Sequence, residues 1–307
     1  MKRHCARRDL LCGVGATFAT ACVRRAGLSL SRTATPATAL DQVETSVGGR
    51  VGVFAIDTGS GEQLAHRADE RFALCSTIKW VLVAALLARV DRGQLSMDER
   101  VPYGASDLLE YAPTTRAHVA DGFMTVEALA KAAIANSDNT AANLLLAKVG
   151  GPPGLTLFTR QLGDAVTRLD RNEPTLNENV RGDARDTTSP RAMANLMRLV
   201  LCGDVLSRAN RDRLIAWLHA CETGAERLRA GIPAAWIVGD KTGTGQRGAF
   251  NDVAFVVPPG YAPIVIAAYL NDSASSLASL NAAHAEISRS IVRLFVPSGP
   301  RLDAHRG

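Results

Sequence analysis

Near both ends of the chain, apolar residues come in short runs bounded by turn residues, and between those regions they recur at helical spacing. Residues 50–58 (Arg-Val-Gly-Val-Phe-Ala-Ile-Asp-Thr) predict a strand, and Gly59-Ser60-Gly61 a hairpin turn into residues 62–66. Over residues 76–92, Trp80, Val81, Leu82, Val83, Leu86, Leu87 and Val90 run almost all round a helix, which makes it central and buried. Helices are also predicted over residues 125–136 and 140–149, the second stopped by Gly150-Gly151-Pro152-Pro153. Ser189-Pro190 offers a cap and a first-turn proline for a helix to Leu201, and another spans residues 208–220. Strand patterns return at residues 236–241, 252–257 and 264–270, followed by a last helix over residues 277–295 and a polar tail at 298–307.

The order strand pair, helical block, three strands, helix lets both chain ends build one sheet. The expected fold class is α/β in the α+β sense. An antiparallel sheet flanked by helices would come from residues 40–70 and 222–297, with residues 71–221 inserted as an all-α lobe. Candidate chemistry then falls at the seam between them. Residues 169–188 are polar and irregular, and a loop that long inside a compact domain is usually functional.

At 307 residues, with 47% hydrophobic and 21% charged side chains, the chain can bury a sizeable core. Its net charge of +5 misleads about partners. Residues 1–39 hold seven Lys or Arg and one acid, which leaves about −1 for the rest of the chain. A nearly neutral body gives no electrostatic reason to expect nucleic acid. The basic leader itself reads as an export signal. Arg7-Arg8-Asp9-Leu10-Leu11 fits a twin-arginine pattern, and the apolar stretch to Val23 is too short to span a bilayer. Periplasmic or secreted destination is expected, with cleavage at Ala19-Thr20-Ala21 or Ala37-Thr38-Ala39. Cys22 also admits a lipoprotein reading, and a solvated basic arm is the bland alternative. Cys75, Cys202 and Cys221 remain in the body, an odd set that forms at most one bridge, so this is no disulfide scaffold.

Ser76 and Lys79, in Cys75-Ser76-Thr77-Ile78-Lys79, open the most apolar helix. Residues three apart share a helix face, with Cβ atoms roughly 5–6 Å apart. A serine hydroxyl is a weak nucleophile and needs a base within that reach. Alone, the pair reads better as a helix cap beside a solvated lysine. Three further motifs change the balance: Ser137-Asp138-Asn139, Glu173-Pro174-Thr175-Leu176-Asn177 and Lys241-Thr242-Gly243-Thr244. Each has a bland reading of its own, as a capping turn, solvated loop charges, or a charged edge strand. Together and in this order they resemble the class A serine β-lactamases, and the likeness covers residues 40–297.

That resemblance implies hydrolysis of the β-lactam amide of penicillins and cephalosporins through a serine acyl-enzyme. Ser76 would be the nucleophile, with Lys79 or Glu173 as the base of acylation. Ser137 would pass a proton to the leaving nitrogen, and Asn139 would meet the substrate's side-chain amide. Glu173 would activate the hydrolytic water, with Asn177 as that water's second ligand. Lys241, Thr242 and Gly243 would line the substrate, and the N–H groups of Ser76 and Thr244 would form the oxyanion hole. Tyr111 matches the cleft's aromatic wall, Asn143 a brace for the loop, and Arg171 with Asp186 an ion pair closing it. Small-molecule β-lactams are the implied partners, with no cofactor, no metal, no stable membrane span and a monomeric state.

The chain also departs from the family. Phe250 stands where many relatives carry an arginine, and Arg227 aligns with an alternative carboxylate-binding arginine. Gly245 replaces a cysteine that in some relatives bridges to the counterpart of Cys75. Gly243-Thr244-Gly245-Gln246-Arg247-Gly248 is formally G-x-G-x-x-G, but it leads into a strand pattern, so no phosphate cradle is expected. The six histidines show no zinc-binding spacing. Two rival readings are a penicillin-binding D,D-peptidase or esterase, and a β-lactam sensor that acylates and stops. Neither needs Glu173 and Asn177 to bring water to an acyl-enzyme.

Overall fold

The computed structural model describes residues 36–296, so the twin-arginine pattern, Cys22 and the polar tail lie outside the described residues. In chain order, α1 (Pro36–Val47) leads into β1 (Arg50–Asp57), β2 (Gln63–His66) and the short β3 (Phe72–Ala73). A 3-10 turn at Cys75–Thr77 opens α2 (Ile78–Asp91), followed by β4 (Arg100–Pro102), α3 (Pro113–Ala117) and β5 (Phe123–Thr125). Then come α4 (Val126–Ala135), α5 (Asn139–Lys148), α6 (Gly151–Gln161), β6 (Thr187–Thr188), α7 (Pro190–Cys202) and α8 (Arg208–His219). The chain closes with β7 (Ile237–Thr244), β8 (Phe250–Val257), β9 (Ile264–Asn271) and α9 (Leu277–Phe295).

Both chain ends do build one sheet. Its five strands run β2-β1-β9-β8-β7, and every pairing is antiparallel. Strands covered on both faces lose the apolar-polar alternation of a half-exposed sheet, and β9 is buried along its whole length. Period two survives as a division between two cores. Val265, Ala267 and Tyr269 join α2, α4, α7 and α8, while Ile264, Ile266, Ala268 and Leu270 join α1 and α9. Residues Ile78 to Ala88 of α2 are buried without interruption, as its all-round apolar pattern predicts.

The lobe of residues 71–221, expected to be all-α, also carries two short antiparallel pairs, β3 with β6 and β4 with β5, because extended segments crossing between its helices satisfy their backbone groups by pairing. Three further elements differ from the sequence-based expectation. α1 opens at Pro36 rather than at the expected domain start of residue 40, and Ala39 and Leu40 are buried in it. Ala37-Thr38-Ala39, one of the two expected cleavage points, therefore lies within the first helix. Gly150-Gly151-Pro152-Pro153 stops α5 but also starts α6. Gly150 (φ 92°) and Gly151 (φ 70°) turn the backbone through the left-handed region, and the prolines occupy a first turn whose N–H groups have no intrahelical partner anyway. β7 continues past Lys241 to Thr244, because Thr244 pairs with Phe250 across the hairpin. Among the described residues, no helix is long and apolar enough to cross a membrane.

Candidate active site

Ser76 sits on the 3-10 turn rather than inside α2, and the turn is held from three sides. Cys75 just before it has φ 46°, a left-handed value uncommon for a residue with a side chain. The Thr77 hydroxyl donates to Leu74 O at 2.6 Å and lies 3.1 Å from the Tyr269 hydroxyl, while Asn251 Nδ2 donates to Ala73 O at 2.9 Å. On the third side lies β7. A Cβ placed on Gly243 would stand 3.0 Å from Leu74 O and 3.1 Å from Cys75 Cβ, so the edge strand presses its backbone onto the nucleophile's turn.

Residues 169–188 form a loop that starts after Arg168, which bridges to Thr187, and whose one regular piece before β6 is a 3-10 turn at Thr175–Asn177. Arg171 Nε pairs with the buried Asp186 at 2.5 Å and closes its neck. Asp186 Oδ1 also accepts the backbone N–H groups of Asp170 (2.8 Å) and Arg171 (2.9 Å). From α5, Asn143 grips the backbone of Glu173 twice, donating to its carbonyl at 2.9 Å and accepting its N–H at 3.0 Å. The peptide between Glu173 and Pro174 is cis. So fixed, the Glu173 carboxylate points at the nucleophile. Ser76 Oγ donates to Oε1 at 3.2 Å, Lys79 Nζ lies 3.0 Å from the same oxygen, and Asn177 Nδ2 donates to Oε2 at 2.5 Å. Asn177 Oδ1 is a buried acceptor without a hydrogen-bond partner among the described residues.

Two lysines converge on Ser137. Lys79 Nζ donates to Ser137 O (2.8 Å), Ser137 Oγ (3.3 Å) and Asn139 Oδ1 (2.5 Å). Lys241 Nζ donates to Ser137 Oγ at 3.1 Å and to Thr242 O at 3.0 Å. Burial lowers the pKa of Lys79, against the pull of the Glu173 carboxylate, which favours its charged form. Burial also brings Lys241 down to about 8. Asp138, between the two polar residues of its motif, has the bland role: it caps α5 through Ala141 N and holds Thr114 and Thr115.

A cleft of about 380 Å³ opens over this cluster, with Ser76, Tyr111, Ser137, Asn139, Asn177 and Arg227 on its walls beside Thr242, Gly243 and Thr244. Lys79, Glu173 and Lys241 lie behind the wall, buried. The twelve residues expected to do chemistry or to meet the substrate thus lie in one place.

The chain matches the Beta-lactamase enzyme family over residues 35–295. It is 50% identical over 251 residues to β-lactamase AST-1 of Nocardia asteroides, covering 82% of this chain and 81% of that one. It is 47% identical to β-lactamase L2 of Stenotrophomonas maltophilia, over 85% and 86% of the two chains. Among solved structures, an ancestral (GNCA) class A β-lactamase superposes with a TM-score of 0.84 at 53% identity, over 85% of this chain and 100% of that one. The chain belongs to the class A β-lactamase family. It hydrolyses β-lactams.

In this β-lactamase the two departures noted in the sequence touch each other. The Arg227 guanidinium stacks on the Phe250 ring, 3.5 Å from its centroid. It donates to Gly243 O (3.0 Å), Asn251 O (2.6 Å) and Thr244 Oγ1 (2.7 Å), which fixes it against the end of β7 at the cleft wall. A Cβ at Gly245 would stand 2.6 Å from Cys75 Sγ, and Cys75, Cys202 and Cys221 are all free. The formal G-x-G-x-x-G is the hairpin between β7 and β8, as its strand context predicts. Thr223 escaped notice in the sequence. It lines the cleft on a stretch with no motif, and only the fold brings its hydroxyl to that of Thr242, 2.5 Å away.

Proposed function

We propose that this β-lactamase opens penicillins and cephalosporins through an acyl-enzyme on Ser76, and that Glu173 drives the release of that intermediate. The observation that carries this reading is the single carboxylate oxygen shared by Ser76 Oγ at 3.2 Å and Lys79 Nζ at 3.0 Å. The Ser76 hydroxyl donates to Glu173, so the proton lost on attack has an acceptor in place. Ser137 Oγ accepts from both ammonium groups, which leaves its own proton free for the departing β-lactam nitrogen. Deacylation uses the other half of the site. Lys79, 3.0 Å from Glu173 Oε1 and 3.3 Å from Ser137 Oγ, first relays the proton that Glu173 took from Ser76 to Ser137, which gave its own to the nitrogen. The restored Glu173 carboxylate and the unpartnered Asn177 Oδ1 then hold a water beside the ester, and Glu173 deprotonates it. The substrate carboxylate lies along Lys241, Thr242, Thr244 and Arg227, its acyl side-chain amide meets Asn139, and Tyr111 forms the outer wall.

Intact-protein mass spectrometry with benzylpenicillin tests the division of labour. Wild-type protein should turn the drug over with little adduct, and Glu173→Ala should retain a lasting adduct on Ser76. Rapid turnover by the variant would remove Glu173 from deacylation.

A further inference from the structure

The end of the cleft beside β7 holds more hydroxyls than the family motifs account for. Thr223 lies on the segment between α8 and β7, partly exposed to the cleft, and its Oγ1 is 2.5 Å from Thr242 Oγ1. Cys221 Sγ lies 3.3 Å from the same Thr223 oxygen. Arg227, across the cleft end, donates to Thr244 Oγ1 at 2.7 Å. A hydroxyl carries one proton, so each has one donation to give. If Thr242 gave its proton to Thr223, it would face an incoming carboxylate with a lone pair. Sulfur is the weaker acceptor available to Thr223, and burial keeps Cys221 a neutral thiol by raising its pKa.

We infer that Thr223 is a positioning residue for substrate binding, whose hydroxyl donates to Thr242 Oγ1 and so turns the Thr242 proton toward the β-lactam carboxylate. Thr244 is set the same way from the other side, since Arg227 occupies its oxygen and frees its proton. Two aligned hydroxyls beside a guanidinium then receive one carboxylate, and hydrogen bonds in such a chain strengthen one another. Thr223 acts through Thr242, not on the reacting carbonyl. This inference rests on the proposed placement of the substrate carboxylate at this end of the cleft.

The test is Thr223→Val, which keeps the shape and removes the proton, assayed on benzylpenicillin and on its methyl ester. On the free acid, kcat/KM should fall about fivefold with kcat retained, the signature of lost ground-state binding. Thr223→Ser should recover it, and on the ester the variant and wild type should match. An unchanged kcat/KM on the acid, or an equal loss on the ester, would overturn the role of Thr223. Should the valine variant fail to fold, Thr223→Ala carries the same comparison. Arg227→Ala separates the two readings. If it abolishes the preference for acid over ester while Thr223→Val leaves that preference intact, only Thr223 is misassigned. If it too leaves the preference intact, the carboxylate lies elsewhere.

Discussion

Lys241 is fully buried, and its ammonium donates to a hydroxyl and a carbonyl, neither of them an anion. Removal from water, with the Lys79 charge nearby, brings its pKa from 10.5 down to about 8. Lys79, equally buried, differs in having the Glu173 carboxylate at 3.0 Å. The Lys241 charge therefore holds below about pH 8 and is lost above it, and with it one attraction for a carboxylate substrate. Activity on benzylpenicillin should show an alkaline fall in kcat/KM centred near that value. Lys241→Arg, whose side chain stays charged throughout, should move the fall upward by about one pH unit or more. A profile identical in both proteins would assign the limb to another group. That Lys241 belongs to the site was legible in Lys-Thr-Gly. Its pKa was not, since it depends on the burial of the strand and on Cys221 and Lys79, both distant in the chain.

Among the elements, the loop of residues 169–188 depends most on particular side chains. It has little regular structure, so Asn143 and the Arg171–Asp186 pair do what a hydrogen-bonded ladder does elsewhere. Asp186 is buried, and among the described residues it forms its ion pair with Arg171. Arg171→Ala should lower stability by about 2–3 kcal/mol, moderated because two backbone N–H groups still reach Asp186. The same change should slow deacylation more than acylation, because the loop carries Glu173 but not Ser76. Urea unfolding checks the first effect, and a pre-steady-state burst with acyl-enzyme build-up checks the second. A stable variant without a burst would show that Asn143 suffices. The loop's polarity and length were readable from the sequence, and its flanking charges were expected to pair. The α6 helix was missed, because Gly-Gly-Pro-Pro reads as a terminator whether or not a new helix follows.

For the molecule as a whole, the core that α1 and α9 form on one face of the sheet meets the site through a buried aromatic contact. His284 of α9 packs edge-on against Phe250, ring centroids 5.5 Å apart, and Phe250 in turn carries Arg227. Burial, with the Arg227 charge adding to it, lowers the imidazole pKa from 6.5 to about 3. Between those values the unfolded chain binds a proton that the native chain refuses. Stability from the neutral ring is therefore full above pH 6.5 and declines as pH falls toward 3, at about 1.4 kcal/mol per pH unit from this one group. His284→Gln should melt with a shallower loss between pH 7 and pH 5 than wild type. Parallel melting curves would place the acid sensitivity in the carboxylates instead.

The sequence alone determined the reaction and most of the architecture. Residue types and short spacings are local properties: serine and lysine three apart, a helix apolar on every face, strands bounded by turns. What only tertiary structure decided is how distant residues share one environment. Ser76 and Glu173, 97 positions apart, meet on one oxygen because Asn143 holds the loop from α5. Arg227 reaches the cleft because Phe250 lies under it, and Thr223 reaches Thr242 across a gap in the chain with no motif to announce it. Periodicity records which face of an element is buried. It carries no information about which polar atoms will face each other once solvent is excluded, and those contacts set charge, proton direction and substrate grip.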